Sequence, residues 1–322
     1  MIDGVIVLWF LLAFLSLAFV LFDSLTNSPV SWVQKLAWLL VTLYTGPVGL
    51  FFYLLSCRRP LPGTHDLFTQ ATWKQGLNSE MHCLAGDATG VLIAAAFTST
   101  LAFANGVDLV AEYVVGFVCG LLIFQALMML PMYGGNYLMA VRKTFFAEAV
   151  SMNFVMIGMF PVMLLMMSSI EGAMEVSSPR FWFSMSMASL AGGIVAFPIN
   201  HWLVRNHLKH GCMTLPGADV VAPGLGHASP EAAEPAAPSH GAHSQGRGGS
   251  ESRSSHGAHG SHAAGEHGSG SEHAEGMAHS GDRESMEMGS ISLSRAAMIV
   301  GLSFGLLLAV TALTGVWVPI RF

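Results

Sequence analysis

Seven apolar stretches dominate the sequence, and each is close to the length that a helix needs to cross a lipid bilayer. Crossing the ~30 Å hydrocarbon core takes roughly 20 consecutive, mainly apolar residues. Only 11% of the chain is charged and its mean hydropathy is +0.55, whereas an average soluble domain is about one quarter charged. We therefore predict an all-α fold, a polytopic membrane helix bundle with about seven transmembrane helices. The approximate limits of the stretches are 2–22, 33–55, 80–103, 111–131, 145–168, 181–204 and 293–317.

The composition changes sharply after residue 212. Residues 213–290 are rich in Gly, Ser, Ala, Pro, Glu and His, and such a segment buries too little apolar surface to offset the entropy lost on ordering. We therefore predict three parts. They are a six-helix transmembrane block over 1–212, a long disordered His-rich loop over 213–290, and a final transmembrane helix with a short C-terminus over 291–322.

Local features predict how the helices bend, pack and begin. Gly46-Pro47 and Phe160-Pro161 should each kink a helix, because proline removes a backbone donor and clashes with the preceding turn. Gly116 and Gly120 form a small-xxx-small pair, which permits close contact between helices. The first stretch lacks a basic n-region and a convincing cleavage site, so we predict a retained helix rather than a signal peptide.

Basic residues are unevenly distributed between the predicted loops. If seven spans alternate from an inside N-terminus, eight basic residues near the membrane fall on one side and three on the other. The larger set is Arg58, Arg59, Lys74, Arg142, Lys143, Arg205, Lys209 and Arg295, and the smaller is Lys35, Arg180 and Arg321. Because cytoplasmic loops carry an excess of Lys and Arg, we predict a cytoplasmic N-terminus, a cytoplasmic His-rich loop, and Phe322 outside.

The third stretch carries ionisable residues where lipid or other helices should surround it. A charge at the centre of a membrane helix costs about 2.5–3.5 kcal/mol on insertion scales. Glu80, Cys83 and Asp87 stand at i, i+3 and i+7, which places them on one helix face. His82 is offset by about 100° from Cys83 and joins that face only at the helix end or through a neighbouring helix. The pattern predicts a metal or proton site, and the alternative is interfacial or hydrogen-bonded side chains.

The fifth stretch carries a stripe that begins with an acid and continues with methionines. Its members recur every three or four residues and so share one helix face. Soft thioether ligands select Cu(I), and MxxxM spacing would let a monovalent copper ion pass from one pair to the next. Methionine is also an adaptable filler of helix interfaces, which is the alternative. The stripe comprises Glu148, Met152, Met156, Met159, Met163 and Met166 or Met167.

Histidines cluster at the end of the sixth stretch and in the His-rich loop. His201, His207 and His210 follow Pro198 in the segment that ends at Cys212. Neutral imidazole is the commonest metal ligand, although interfacial histidines are the alternative reading. The loop histidines are irregularly spaced, which suits weak capture of zinc, nickel or copper, and the alternative is a solvated linker. They are His227, His240, His243, His256, His259, His262, His267, His273 and His279.

Three segments resemble a family of bacterial membrane proteins known as domain of unknown function 4396. They are WKQGLNSEMHCLAGDATG (73–90), RKTFFAEAVSMNFVMIGM (142–159) and FPINHWLVRNHLKHG (197–211), which occur in order and with matching spacing. The resemblance covers residues 73–211. It implies a membrane fold without an established activity, and together with the apolar stretches it predicts a multi-pass protein of the bacterial inner membrane.

These observations favour a protein that binds or transports a soft or borderline metal ion, most of all copper. The predicted ligands are Glu80, His82, Cys83, Asp87, Glu148, Met152, Met156, Met159, Met163 and His201. The alternative is a non-catalytic accessory or structural subunit of a membrane complex. We expect no enzyme activity, because no HExxH, GxSxG or comparable spacing occurs, and an intramembrane enzyme or haem carrier ranks last. The expected partners are the lipid bilayer, metal ions, and membrane proteins or a second copy of the chain, with no nucleic acid.

Overall fold

The structure is a computed structural model that describes residues 2–58, 60–61, 64–101, 104–211, 291–318 and 320. The predicted His-rich loop, Cys212, Arg59, Arg321 and Phe322 therefore lie outside the described residues.

The described chain is helical and contains no β-strand, which confirms the predicted all-α membrane bundle. Within the described residues, six helical segments are long and apolar enough to cross a membrane, one fewer than the seven predicted for the chain. One of these segments, Gly106–Tyr133, combines α6, a π-helical segment, α7 and a 3₁₀ turn. The elements are α1 (Ile2–Asn27), α2 (Trp32–Thr45), α3 (Pro47–Ser56), α4 (His65–Thr69), α5 (Thr72–Leu101), α6 (Asn105–Val118), the π-helical segment (Cys119–Gln125), α7 (Ala126–Met129), the 3₁₀ turn (Leu130–Tyr133), α8 (Tyr137–Ser169), α9 (Pro179–Arg205) and α10 (Leu293–Thr314).

The prediction that residues 33–55 form one kinked, membrane-crossing helix is wrong, because the chain turns back at Gly46. Gly46 has φ 58° and ψ −132°, a conformation open to glycine alone, and Pro47 starts the next helix with a preset φ. With 14 and 10 residues, α2 and α3 are only about 21 Å and 15 Å long at ~1.5 Å per residue. Each is too short to cross the bilayer.

Contacts on both sides show that α2 and α3 form a re-entrant hairpin. The Nε1 of Trp38 in α2 donates to Asn78 Oδ1, while Asn78 Nδ2 donates to the carbonyl of Ser56 at the end of α3. The first half of α2 and the end of α3 therefore lie beside the same residue of α5, Asn78. Gly46, at the turn, lies against Trp9 and Ala13 in the first half of α1.

Because the hairpin does not cross, the start of α1 and the flanks of the His-rich segment lie at opposite ends of the bundle. Asp3 binds Arg180 at the start of α9, at 3.0 Å, and the end of α10 lies by the start of α6. We call this end the terminal face. Asp23, near the end of α1, binds Arg58 at the other end, at 3.3 Å. A shared side for the N-terminus and the His-rich loop would require the start of α1 and these flanks to lie at the same end, and in the described bundle they do not.

We call that other end the basic face, because most basic residues of the described chain lie there. The end of α9 and the start of α10 are at this face, so both flanks of residues 212–290 emerge from it. The basic face carries Lys35, Arg58, Lys74, Arg142, Lys143, Arg205, Lys209 and Arg295, whereas Arg180 lies at the terminal face.

The centre of the bundle is formed by α5, α8 and α9, with α6 packed closely on α5. A Cβ atom placed on Gly86 would overlap the backbone of Gly120, and one on Gly90 would overlap Gly116. The close helix contact predicted for Gly116 and Gly120 is confirmed. Helix α8 continues through Pro161 to Ser169.

A buried charge cluster as the candidate functional site

Four ionisable side chains meet inside the bundle, and we call them the core cluster: Cys83 and Asp87 from α5, Glu148 from α8, and Lys209 from the segment after α9. None is more than 2% exposed. The thiol of Cys83 donates to Glu148 Oε2 at 2.8 Å, and Lys209 Nζ lies 3.7 Å from the same oxygen. Lys209 Nζ also donates to the Cys83 sulfur. Of the predicted ligands, the structure thus brings Cys83, Asp87 and Glu148 together, with a lysine added to them.

Lys209 reaches the cluster because α9 ends in a Schellman motif. His207 has φ 57°, the left-handed conformation that usually closes such a motif with glycine. The N–H of His207 donates to the carbonyl oxygen of Val204, and the N–H of Leu208 donates to the carbonyl oxygen of Leu203. The chain therefore reverses direction and directs Lys209 back into the bundle.

The ammonium of Lys209 is held by neutral as well as charged groups. Its Nζ donates to Asn200 Oδ1 at 2.9 Å, and Ser151 Oγ donates to the same oxygen at 2.9 Å. Burial alone would lower the pKa of Lys209, but Cys83, Glu148 and Asp87 raise it, so its pKa lies above the ordinary value. Lys209 is therefore a positive charge at neutral pH.

Asp87 and Glu148 meet beside Gly120, where a side chain would not fit. A Cβ atom on Gly120 would overlap both Asp87 Oδ1 and Glu148 Oε1. Gly120 belongs to the π-helical segment Cys119–Gln125, and π-helical insertions occur frequently at functional sites. The space that a side chain at Gly120 would fill is thus occupied by two acidic oxygens from two other helices.

The charges of the core cluster do not balance when both carboxyl groups are ionised. Two carboxylates then face one ammonium, and an uncompensated buried charge is strongly unfavourable. Both oxygens of Asp87 and Oε1 of Glu148 have no hydrogen-bond partner among the described residues. The arrangement therefore accommodates one further positive charge, either a proton on a carboxyl group or a bound cation.

Glu80, His82 and His201 are not hydrogen-bonded to the core cluster. Glu80 and His82 are each 1% exposed, and neither has a hydrogen-bond partner in the described part of the chain. Glu80 lines a largely apolar cavity of about 480 Å³ between the re-entrant hairpin, α5 and α9. His201 packs against Gly76 at the start of α5.

No group of three or more His, Cys, Asp and Glu side chains in the described residues has a geometry able to hold a metal ion. The ligands that could complete such a site are the methionines of α8. Met152, Met156 and Met159 are fully buried and Met163 is 2% exposed. Met152 lies beside Gly116, and Met159 lies beside Gly192 of α9. The stripe therefore faces the interior, as a metal path and ordinary packing both require.

Lys209 is a functional candidate that the sequence pattern did not reveal, since its position in the sequence marks it only as a basic residue near the membrane. Its position depends on the chain reversal at His207, and a left-handed histidine gives no reliable sequence signal. The segment NHLKHG offers one weak indication. It places Lys209 shortly after the end of α9 at Arg205 and shortly before Gly211. The sequence pattern likewise does not reveal Ser151, which donates to Asn200 Oδ1.

Comparison with curated proteins gives no match, and comparison with solved structures gives none either. The core cluster and the methionine stripe both lie within one region that matches a family model. Residues 72–209 of this chain match the family described as Domain of unknown function (DUF4396).

Proposed function

We propose that this chain is an inner-membrane protein that binds a soft monovalent metal ion, copper as Cu(I), and passes it along α8. The observation that carries this proposal is a continuous buried line of ligands. It begins in the core cluster and runs toward the terminal face, with each member three or four residues from the next and at most 2% exposed. The line consists of Glu148, Met152, Met156, Met159 and Met163.

The spacing of the line suits transfer between neighbouring ligands. Residues three or four apart on a helix lie on one face, about 5–6 Å apart. Thioethers bind Cu(I) through sulfur, whereas Mg²⁺, Ca²⁺ and Mn²⁺ prefer oxygen ligands. A line of methionines therefore favours a soft ion over the harder and more abundant cations.

The core cluster supplies the charge that the methionines lack. A monovalent cation beside Asp87 and Glu148 would balance the second carboxylate, and the thiol of Cys83 provides a soft ligand. Metal binding to a thiol requires its deprotonation. Cys83 would exchange its proton for the metal, and Glu148 Oε2, which accepts the hydrogen bond of the thiol at 2.8 Å, is placed to take that proton.

The distribution of basic residues supports an orientation for this path. With the excess of Lys and Arg on the cytoplasmic side, the basic face is cytoplasmic and the terminal face is outside. The His-rich residues, which lie outside the described residues, would then be attached at the cytoplasmic end. Their histidines are proposed to capture copper, zinc or nickel there.

The second candidate is a non-catalytic accessory or structural subunit of a membrane complex. It is favoured by the pairing of Lys209 with Glu148 at 3.7 Å, because a proton on Asp87 would then make the core cluster neutral without an added metal ion. In that case the methionines act as packing groups, and the partners are other membrane proteins or a second copy of this chain.

Uptake of Ag⁺ into proteoliposomes tests the proposal, because Ag⁺ resembles Cu(I) and does not change oxidation state. The full chain should accumulate Ag⁺ over protein-free vesicles, and Cys83→Ser and Glu148→Gln should each lower the initial rate at least tenfold. Cys57→Ser is the matched control, since Cys57 is also buried but lies at the end of α3. Equal rates for the full chain and both cluster variants would favour the structural subunit.

A further inference from the structure

A small cavity at the terminal face joins two acidic residues to three methionines. It has a volume of about 100 Å³ and lies between the first turns of α6 and the last turns of α8. Organic ligands generally occupy pockets of about 300–1,000 Å³, so this cavity suits an ion. Its distinctive lining residues are Asp108, Glu112, Met163, Met167 and Met174.

Among the described residues, neither of the two carboxyl groups has a positive partner. Glu112 is only 4% exposed, and its Oε2 has no hydrogen-bond partner among the described residues. Oδ1 of Asp108, one turn earlier on α6, is also without such a partner. Arg180, at the same face, is bound to Asp3 and to the carbonyl of Glu171. A cation in the cavity would compensate a buried negative charge that otherwise opposes folding.

The methionines select the kind of cation. Three thioether side chains line a cavity of atomic dimensions, whereas Ca²⁺ takes six to eight oxygen ligands and Mg²⁺ six. Sulfur ligands favour Cu(I), and the carboxylates supply the attraction for a positive charge. Met163 is also the last member of the buried line on α8, so the cavity and the line share a side chain.

We propose that Asp108, Glu112, Met163, Met167 and Met174 form a binding site for a soft monovalent metal ion where the methionine line reaches the terminal face. This inference rests on the proposed function for its assignment as the entry or exit of the path. Binding at the cavity is nevertheless a separate property from movement through the bundle. The two properties can be measured separately.

Protection of methionines from oxidation tests binding on the full chain. The purified protein is exposed to hydrogen peroxide with and without Ag⁺, and sulfoxide formation is measured peptide by peptide by mass spectrometry. Met174 and Met139 are both exposed, at 63% and 46%, but Met139 lies at the start of α8 near the basic face. Ag⁺ should slow the oxidation of Met174 and Met167 at least fivefold and leave that of Met139 unchanged.

The variant Glu112→Gln separates a metal site from a general effect of silver. It should raise the Ag⁺ concentration that half-protects Met174 by about tenfold, while Glu175→Gln, close to Met174 in sequence and outside the cavity lining, should not. Equal protection of Met174 and Met139, or unchanged protection in Glu112→Gln, would overturn the site. Protection of Met174 in a protein that shows no Ag⁺ uptake would uphold the site and reject transport. Ag⁺ uptake without protection of Met174 would reject the binding site at the cavity and would leave the proposed path along α8 standing.

Discussion

Lys209 places its ammonium nitrogen 3.7 Å from the carboxylate of Glu148, and both side chains are completely shielded from solvent. The lysine comes from a segment beyond the end of α9, whereas the glutamate comes from the first half of α8. A chain reversal outside the membrane helices therefore completes a charge pair inside them.

Replacing Lys209 by methionine should strongly destabilise the protein. The variant leaves Glu148 and Asp87 buried without their ammonium partner, and breaking a buried pair in this way typically costs about 3–5 kcal/mol. Thermal unfolding in detergent should show a lower midpoint, while Lys143→Met, at an exposed position of α8, should change it little. The double variant Lys209→Met/Glu148→Gln should recover part of the loss, because the uncompensated charge is removed. An unfolding midpoint that Lys209→Met leaves unchanged would contradict the buried ion pair between Lys209 and Glu148.

Gly120→Ala should disturb the core cluster through a single methyl group. That group would occupy the space of Asp87 Oδ1 and Glu148 Oε1, and such overpacking costs about 1–3 kcal/mol. Gly305→Ala is the control, because a Cβ at Gly305 meets nothing within 4 Å. Since alanine is favoured over glycine in helices by about 0.5–1 kcal/mol, the control should be neutral or stabilising. Equal unfolding midpoints for the two variants would refute the packing of these two oxygens against Gly120.

The re-entrant hairpin predicts which residues are accessible from one side of the membrane. Cysteines introduced at Lys35, before the turn, and Arg58, after it, should react with an impermeant maleimide from the same side. A cysteine at Arg180 should react only from the other side. The reagent is applied to intact and to opened cells, with the parent chain as background. Labelling of positions 35 and 58 from opposite sides would contradict the re-entrant hairpin and support a single helix that crosses the membrane.

Met156→Leu should separate packing from ligand exchange. The substitution nearly conserves volume, so its cost in stability should remain below about 1.5 kcal/mol, although Met156 is fully buried. The Ag⁺ uptake rate should nevertheless fall several-fold, because leucine has no sulfur. Met185→Leu changes another buried methionine outside the line and should leave uptake intact. Uptake that Met156→Leu does not affect would identify the stripe as packing.

His210 should make the protein less stable as the pH falls. Burial, together with the neighbouring His207, lowers the pKa of His210 below its usual value. The unfolded chain then binds a proton that the folded chain excludes, so stability decreases below about pH 6.5. Unfolding midpoints between pH 7.5 and 5.5 should drop less in His210→Gln than in the parent chain. Parallel pH profiles for the two proteins would contradict this assignment.

The pattern of the third and fifth apolar stretches predicted the two helix faces that meet in the core cluster. Cys83 and Asp87 share a face through helical periodicity, and Glu148 begins the buried methionine stripe through the same rule. Periodicity places residues on one face of a helix but does not say which neighbouring helix that face meets. The contact of Asp87 with Glu148 at Gly120 depends on the π-helical segment of another span, for which the sequence carries no comparable signal.

The prediction of one membrane-crossing helix over residues 33–55 is wrong for a different reason. Hydropathy measures length and apolar content, and a hairpin of two short apolar helices satisfies both as well as one long helix does. The decisive residue is Gly46, whose backbone conformation reverses the chain, whereas a proline in an apolar stretch by itself predicts only a kink. Glycine before proline within an apolar stretch therefore indicates two possible structures, and the hydrogen bonds of Asn78 to both arms select between them.

The hairpin at Gly46 also determines how the chain can be joined to other proteins. If the six described segments of sufficient length all cross the membrane, a reporter fused before α1 and another fused after α10 would sit in one compartment and could be read by the same assay. An insertion between α9 and α10 would report from the opposite compartment. A single residue with an unusual backbone conformation thus sets the compartment in which each attachment point of the molecule is found.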